Sequence, residues 1–226
     1  MAVPISARTL KRAFVVGSAV VSLAGLAAEV ARFSLGFAEE GLVSLFSLSW
    51  EANIPTWYAA TLALACATLL AISGADAKAR GERAASWWLL TAGFFYIAMD
   101  EVSQLHELAA FFDLRGVLYF SWIIPAAVVV ALVGLSLIPF LRSLEAATRI
   151  RFLVAGAIYV GGAVAMELPL GWWTDHYGVD TLGYALIDWA EESMELVGLT
   201  LFLASLVDRL AKRELRIRFA TAEVAR

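Results

Sequence analysis

The sequence predicts an all-α fold, a polytopic membrane helix bundle with about six transmembrane helices and both termini in the cytoplasm. Hydrophobic residues make up 61% of the 226-residue chain, charged residues make up only 17%, and the mean hydropathy is +0.77. A single soluble core could not bury that much apolar surface. The apolar residues form stretches of membrane-spanning length, and the two signs of charge are segregated along the chain.

Six apolar stretches are long enough, or nearly so, to cross a hydrocarbon core, which takes about 20 helical residues. They lie near residues 13–34, 54–73, 86–108, 117–141, 152–172 and 182–208. We interpret the first stretch as a retained helix rather than a signal peptide, although basic residues precede it. Residues 35–50 are too short and polar to span, and we expect an outer interfacial segment there. No second domain is indicated, so residues 1–226 form a single transmembrane helical domain.

The distribution of Lys and Arg predicts the orientation of these spans. Of the 17 Lys and Arg residues, only Arg32 and Arg115 fall on one side, and all the others fall on the opposite side. Cytoplasmic loops carry the excess of basic residues, so we expect a multi-pass protein of the bacterial cytoplasmic (inner) membrane, in contact with the lipid bilayer. The basic residues follow helix ends and form no patch on a soluble domain, which argues against nucleic-acid binding.

Ionisable residues are concentrated in the outer halves of the spans. Two stretches stand out, DEVSQLHE at residues 100–107 and DWAEESME at residues 188–195. At about 100° per residue, each stretch places acidic or polar residues at i, i+3, i+4 and i+7 on one helix face. Acids in two further spans lie at a similar depth. We expect one polar site built from Glu51, Asp100, Glu101, Gln104, His106, Glu107, Glu167, Asp188, Glu191, Glu192 and Glu195.

Such a site needs compensation, because each charge at mid-bilayer depth costs roughly 2.5–3.5 kcal/mol on insertion scales. Arg32 and Arg115 are too few for these acids, and Glu29 is most simply an ion pair with Arg32 on the same helix. Protons or bound cations must therefore neutralise the remainder. One interpretation is a membrane-embedded metalloenzyme that holds a divalent Mn, Fe or Zn ion. Its metal ligands would be His106, Glu107, Glu192 and Glu195, with Asp100 or Glu101 as the catalytic base.

Two other interpretations fit the same residues. The acids could titrate or bind ions in a proton- or cation-coupled transporter or sensor. They could also hold together the helices of a non-catalytic subunit, within a larger membrane complex or a homo-oligomer, because polar side chains stabilise contacts between membrane helices. The sequence is compatible with an enzyme, a transporter and a subunit alike.

Local motifs narrow the choice of family. The chain has no His-Glu-x-x-His zinc motif, no Gly-x-Ser-x-Gly elbow and no phosphate loop. Glu191 and Glu192 lack the following Arg of membrane-embedded CAAX-type proteases, because Leu196 stands there. The DExxxxHE motif at residues 100–107 and the EExxE motif at 191–195, with EANIPTW at 51–57, resemble a family of uncharacterised bacterial multi-pass membrane proteins. The resemblance implies a multi-pass fold and brings no activity with it.

Smaller signals concern helix ends and packing. Asn53 is expected to cap a helix. Trp122 is expected in the aromatic belt at the membrane interface. Gly156, Gly161 and Gly162 would let a neighbouring helix approach the fifth span closely.

Overall fold

The computed structural model describes residues 6–213, except for the side chain of Glu39, as long helices packed in one bundle. The chain termini, which the sequence places in the cytoplasm, lie outside the described residues. Short 3-10 helices occupy Leu105–Ala109 and Gly116–Leu118, an irregular turn occupies Glu39–Val43, and a π-helix at Gly161–Met166 joins α6 to α7. The α-helices are α1 (Ala7–Leu35), α2 (Ser44–Phe46), α3 (Ile54–Ala79), α4 (Ala85–Ser103), α5 (Ile123–Ser143), α6 (Ala146–Val160), α7 (Glu167–Tyr177) and α8 (Leu182–Ala211).

Polar side chains cap several of these helices. Asn53 Oδ1 accepts a hydrogen bond from the backbone N–H of Thr56 at 3.2 Å, so the predicted cap of α3 is confirmed. Ser6 caps α1 and Thr181 caps α8 in the same way. At its other end α1 stops at Gly36, which takes the left-handed conformation (φ 70°) that side chains disfavour.

Helix α8 forms the centre of the bundle, packed against α1, α3, α6 and α7, and α3 packs along α4. The largest fully buried apolar side chains of the described residues come from α3 and α8, and they are Leu62, Leu70, Leu203 and Leu206. Cys66 is also fully buried, as predicted for a small hydrophobic side chain. The centre of the bundle is therefore apolar along α3 and along the second half of α8.

Ion pairs and aromatic contacts gather helix ends at one end of the bundle. Lys11 of α1 and Arg151 of α6 both bind Asp208 of α8. Trp87 of α4 packs edge-on against Phe140 of α5, with ring centroids 4.7 Å apart. Helices α1, α4 and α6 therefore begin at this end, where α5 and α8 finish. We call it the basic end, and the opposite end the acidic end.

Within residues 6–213, four helical segments are long and apolar enough to cross a membrane: α1, α3, α5 and the continuous helix from α6 through α7. Large apolar side chains on the outside of α1 and α5, such as Val16 and Leu132, suit contact with a lipid bilayer. The all-helical fold is thus confirmed for the described residues, and the four apolar segments are compatible with a membrane protein. The sequence predicted spans at α4 and α8 as well, and these helices differ from the other four because acidic residues interrupt their apolar character.

The predicted stretches differ from the helices by five or six residues at half of their ends, among them the start of α1 at Ala7 instead of residue 13 and the end of α3 at Ala79 instead of residue 73. The third stretch ends as an α-helix at Ser103 instead of residue 108, and the fourth begins at Ile123 instead of residue 117. The fifth is longer than predicted, because α6, the π-helix and α7 are continuous over Ala146–Tyr177. Residues 35–50 contain no long helix, in agreement with a segment that does not span.

Candidate functional site: a buried acidic cluster

Carboxyl groups from five parts of the chain gather toward the acidic end of the bundle. Each of them lies within electrostatic range of at least one other. We call this set the acidic cluster, and its members are Glu29, Glu51, Asp100, Glu101, Glu167, Asp188, Glu191, Glu192 and Glu195.

The end of α4 sets the position of the first acids. Gln104 adopts the left-handed conformation (φ 51°, ψ 41°), and its backbone N–H bonds the carbonyl of Asp100 at 2.7 Å. The α-helix therefore stops after Ser103, and the predicted stripe from Asp100 to Glu107 does not continue along one helix face. Glu107 is exposed beyond the helix end, so it lies outside the buried part of the site.

Asp100 and His106 form a pair where the chain turns. The backbone N–H of His106 donates to Asp100 Oδ1 at 2.7 Å, and His106 Nδ1 lies 3.0 Å from Asp100 Oδ2. Burial by itself lowers the pKa of His106, but the bond to Asp100 and the negative charges of Asp100, Glu51 and Glu167 outweigh it and raise the pKa above 6.5. The sequence assigned Asp100 to catalysis and His106 to a metal, whereas the structure joins the two directly.

Trp122 continues this polar chain to Glu167. The indole ring lies 4.7 Å from the His106 ring, and Trp122 Nε1 donates to Glu167 Oε1 at 3.1 Å. Trp122 was expected in the interfacial belt, which stays a prediction, and the structure adds that the indole is partly exposed and that its N–H binds a buried acid. Glu167 is 8% exposed, and its second oxygen, Oε2, is buried without a hydrogen-bond partner.

The π-helix brings Glu167 against α8. A Cβ atom on Gly162 would lie 2.8 Å from the backbone oxygen of Glu191 and 3.1 Å from Cγ of Glu195. Gly161 is similarly close to Met194, whereas nothing lies within 4 Å of a Cβ on Gly156. The predicted close approach is thus confirmed for the two glycines of the π-helix and is wrong for Gly156. Such π segments within α-helices occur frequently at functional sites.

The acids of α8 face two neighbours. Glu191 is 6% exposed, and the buried oxygens Glu191 Oε2 and Asp188 Oδ2 have no hydrogen-bond partner. Glu191 and Asp188 both lie within electrostatic range of Glu167. Glu192 and Glu195 are partly buried and lie within range of Glu101 at the end of α4. The cluster therefore links α7, α8 and α4.

Glu29 of α1 is a member of the cluster that sequence reasoning missed. Its side chain is fully buried, accepts a hydrogen bond from the Ser47 hydroxyl, and leaves Oε2 without a partner. It also lies within electrostatic range of Asp188. The proposed ion pair with Arg32 is wrong, since the ion pair of Arg32 within the described residues is with Asp180 at 2.7 Å. The sequence did contain a signal for Glu29, because it is a single acid inside an apolar stretch. Such acids are energetically costly, so they usually have a functional role.

Glu51 marks the opening of the site. It lines a cavity of about 460 Å³ that the segment from Gly41 to Asn53 forms at the acidic end. Burial raises the pKa of Glu51, as do Glu107 and Asp100, while Gln104 and His106 oppose the shift. Asn53 holds this segment in place, because its Nδ2 donates to three backbone carbonyls at 2.7–3.1 Å.

The cluster contains far more negative than positive groups. In residues 6–213 no ion pair joins a cluster acid to Lys or Arg, and the one ionisable base bonded to the cluster is His106. Arg115, on the same side of the bundle, is exposed and lies 4.0 Å from Asp175, outside the cluster. The cluster is thus an unbalanced set of partly buried carboxyl groups.

The donor set does not fit the predicted metal centre. Among the described residues, no three His, Cys, Asp or Glu side chains are placed so that they could share a metal ion. Of the four predicted ligands, Glu107 is exposed, His106 bonds Asp100, and Glu192 and Glu195 lie on α8 near Glu101.

Comparison with known proteins gives one match. A family model described as "Domain of unknown function (DUF8692)" matches residues 12–210, which include every member of the acidic cluster. No curated protein and no solved structure matches the chain.

Proposed function

The chain belongs to the DUF8692 family, and we propose that it is a membrane protein that binds protons in the acidic cluster and couples their uptake to transport across the bilayer. The observation that carries the proposal is a set of neighbouring carboxyl groups, among them the buried Glu29, Glu167 and Glu191, that has no Lys or Arg partner in the described residues. Four of its oxygens also lack any hydrogen-bond partner, namely those of Glu29, Glu167, Asp188 and Glu191.

Protons supply the compensation that this set requires. An isolated carboxylate in a low-dielectric region carries a large desolvation penalty, and the usual response is neutralisation by a bound proton. A protonated carboxyl group is also a hydrogen-bond donor, so proton transfer among neighbouring acids can satisfy oxygens that are otherwise unpaired. Acids inside membrane segments are characteristic of proton pathways. Several members of the cluster are therefore proposed to stay protonated at neutral pH.

Transport is supported by the depth of the cluster and by the π-helix beside it. Glu195 lies about 20 Å along α8 from Leu182, at 1.5 Å per residue, in a hydrocarbon layer about 30 Å thick. The cluster thus extends from the cavity at Glu51 toward mid-membrane. The π-helix within the continuous α6–α7 helix lies next to Glu191 at this depth, and π segments of this kind occur frequently at functional sites.

The proposal includes six spans, with α4 and α8 crossing together with the four more apolar segments. It also places the basic end in the cytoplasm, since most Lys and Arg residues gather there. Single cysteines at Ala85, the first residue of α4, and Val179, before α8, test this in a Cys66→Ala background, because both positions are exposed. An impermeant thiol reagent should label Ala85→Cys only from the cytoplasm and Val179→Cys only from outside. Labelling of both from one side contradicts six spans.

Proton binding is tested by infrared spectroscopy of the purified protein across pH. Wild type should show absorption from neutral carboxyl groups at pH 7, and Glu191→Gln and Glu195→Gln should each reduce it. Asp113→Asn is the matched control, since Asp113 is exposed and outside the cluster. A wild-type protein without neutral carboxyl groups at pH 7 contradicts the proposal.

Transport is tested in vesicles that contain a pH-sensitive dye. With an imposed pH gradient and a clamped membrane potential, wild type should acidify the lumen faster than empty vesicles. Glu191→Gln should abolish the excess flux, and Asp113→Asn should preserve it. Neutral carboxyl groups without flux would leave a proton-binding sensor or subunit in place of a transporter.

The metalloenzyme interpretation gives the opposite results. Elemental analysis would then find a stoichiometric Mn, Fe or Zn ion in the purified wild type, and Glu107→Gln would remove it. The proposal expects Glu107→Gln to change neither the infrared signal nor the proton flux, because that side chain is exposed.

A further inference from the structure

A second cavity, of about 430 Å³, opens at the basic end between the start of α6 and the last turns of α8. Its size falls in the range of small-molecule sites, roughly 300–1,000 Å³. The polar side chains that line it are Thr148 and Arg151 of α6 and Ser205, Asp208, Arg209 and Lys212 of α8.

The lining carries an excess of positive charge. Three of its side chains are cationic and one, Asp208, is anionic; Asp208 is already bound by Lys11 and by Arg151 at 2.9 Å. Lys212 pairs with Glu145 at 3.1 Å, but both partners are about 60% exposed, and such pairs are weak and easily exchanged. Arg151 and Lys212 can therefore turn toward a ligand at little cost.

Arg209 provides an unsatisfied donor. Its guanidinium lies over the Trp87 ring, 4.2 Å from the centroid, and its Nη1 is buried without a hydrogen-bond partner among residues 6–213. A buried donor of a charged group is destabilising when it stays unpaired. An anion with several acceptor oxygens would pair with it.

The first turn of α6 adds to the positive electrostatic potential of the cavity. Glu145 precedes the helix without capping it through its side chain, and Thr148 of the first turn lines the cavity. The N–H groups of a first helical turn have no acceptor inside the helix, and they favour phosphate and similar anions.

We infer that this cavity binds a phosphate group. The group is carried either by an anionic phospholipid or by a soluble phosphate compound. The lipid source is supported by the exposed apolar side chains Ile150, Leu153 and Val154, which continue along α6 next to Arg151 and would contact an acyl chain. Basic pockets between membrane helices bind lipid headgroups in this way. The inference does not depend on the acidic cluster.

Native mass spectrometry of the full chain, titrated separately with phosphatidylglycerol and phosphatidylcholine, tests the inference. Wild type should bind phosphatidylglycerol at least tenfold more tightly than phosphatidylcholine. The double variant Arg151→Gln/Lys212→Gln should lose at least tenfold in affinity, and it should fold because both side chains are more than half exposed. The double variant Lys78→Gln/Arg83→Gln removes the same charge at the same end, from two exposed side chains that do not line the cavity, and should bind like wild type.

Competition with inorganic phosphate distinguishes the two sources. Release of phosphatidylglycerol by millimolar phosphate supports a soluble ligand, and resistance to it supports a lipid. Equal binding of the two lipids without phosphate binding overturns the inference. An equal loss of affinity in both double variants overturns it as well, because general surface charge would then explain the binding.

Discussion

The close approach of the π-helix to α8 makes Gly162 the most sensitive small residue near the acidic cluster. In Gly162→Ala the new Cβ would lie 2.8 Å from the backbone oxygen of Glu191, closer than real Cβ contacts come. Because that oxygen belongs to the main chain, it cannot rotate away, and one helix must shift by several tenths of an ångström. Overpacking of this kind costs about 1–3 kcal/mol.

Gly156→Ala is the matched control on the same continuous helix. Nothing lies within 4 Å of its new Cβ, so the substitution should only reduce the flexibility of the unfolded chain and stabilise the protein by up to about 1 kcal/mol. Gly162→Ala should therefore be about 1–3 kcal/mol less stable than Gly156→Ala. Unfolding of the purified protein by denaturing detergent, followed by circular dichroism, measures the difference.

The same pair of variants reports on the site. Displacement of the π-helix moves Glu167 relative to Glu191, so the infrared signal of neutral carboxyl groups should change in Gly162→Ala and stay the same in Gly156→Ala. If Gly162→Ala is as stable as the control and leaves the infrared signal unchanged, the close contact between the π-helix and α8 does not exist.

Further predictions concern the edge of the cluster. The pKa of His106 is raised in the folded state, so protonation of His106 stabilises the fold. This stabilisation is complete below pH 6.5 and disappears as the pH rises through the pKa of His106 in the folded protein. His106→Gln should therefore remove this part of the pH dependence of unfolding by detergent. Trp122→Phe should destabilise the protein by about 1–3 kcal/mol, because Glu167 then loses its hydrogen bond, whereas Trp57→Phe at an exposed position should be nearly neutral. Asn53→Ala removes a helix cap and three bonds to the segment around the cavity, so a loss of more than about 1 kcal/mol is expected, together with faster proteolysis of that segment.

The lengths of the apolar helices and the positions of most cluster acids could both be predicted from the sequence. Hydropathy and the 20-residue length requirement located every long helix, with half of the predicted ends within three residues of the structure and the other half five or six residues away. The high energetic cost of a charge inside a membrane identified most of the acidic cluster, since acids at such depth need one another or a ligand. Both inferences depend only on the length of the apolar stretches and on the cost of a charge in an apolar solvent, and both quantities follow directly from the sequence.

The local backbone conformation at the end of α4 could not be predicted in the same way. Residues 100–107 have a good helical pattern, yet Gln104 takes the left-handed conformation, and Asp100 then serves as acceptor for the backbone and ring of His106. In this turn, side-chain hydrogen bonds replace the backbone hydrogen bonds of a helix. Whether the exchange stabilises the protein depends on tertiary contacts, such as the contact of His106 with the Trp122 ring. The predicted stripe from Asp100 to Glu107 relied on an unbroken helix, so it was lost with the turn, whereas metal binding by the four predicted ligands stays a prediction.

The two halves of helix α8 differ in what they contribute, because one half stabilises the fold and the other carries acids of the acidic cluster. Its half toward the basic end is buried and apolar, with Leu199, Leu203 and Leu206 in the core, and burial of such side chains is the main source of stability. Its half toward the acidic end carries Glu191 and Glu195, which must bind a proton to be neutral at pH 7, and holding a carboxyl group in this way in an apolar environment is costly. Conversion of these acids to glutamine removes that cost and leaves the apolar half intact. The Glu→Gln variants should therefore fold at least as well as wild type while losing proton binding, as expected when an unfavourable feature is maintained for function rather than for stability.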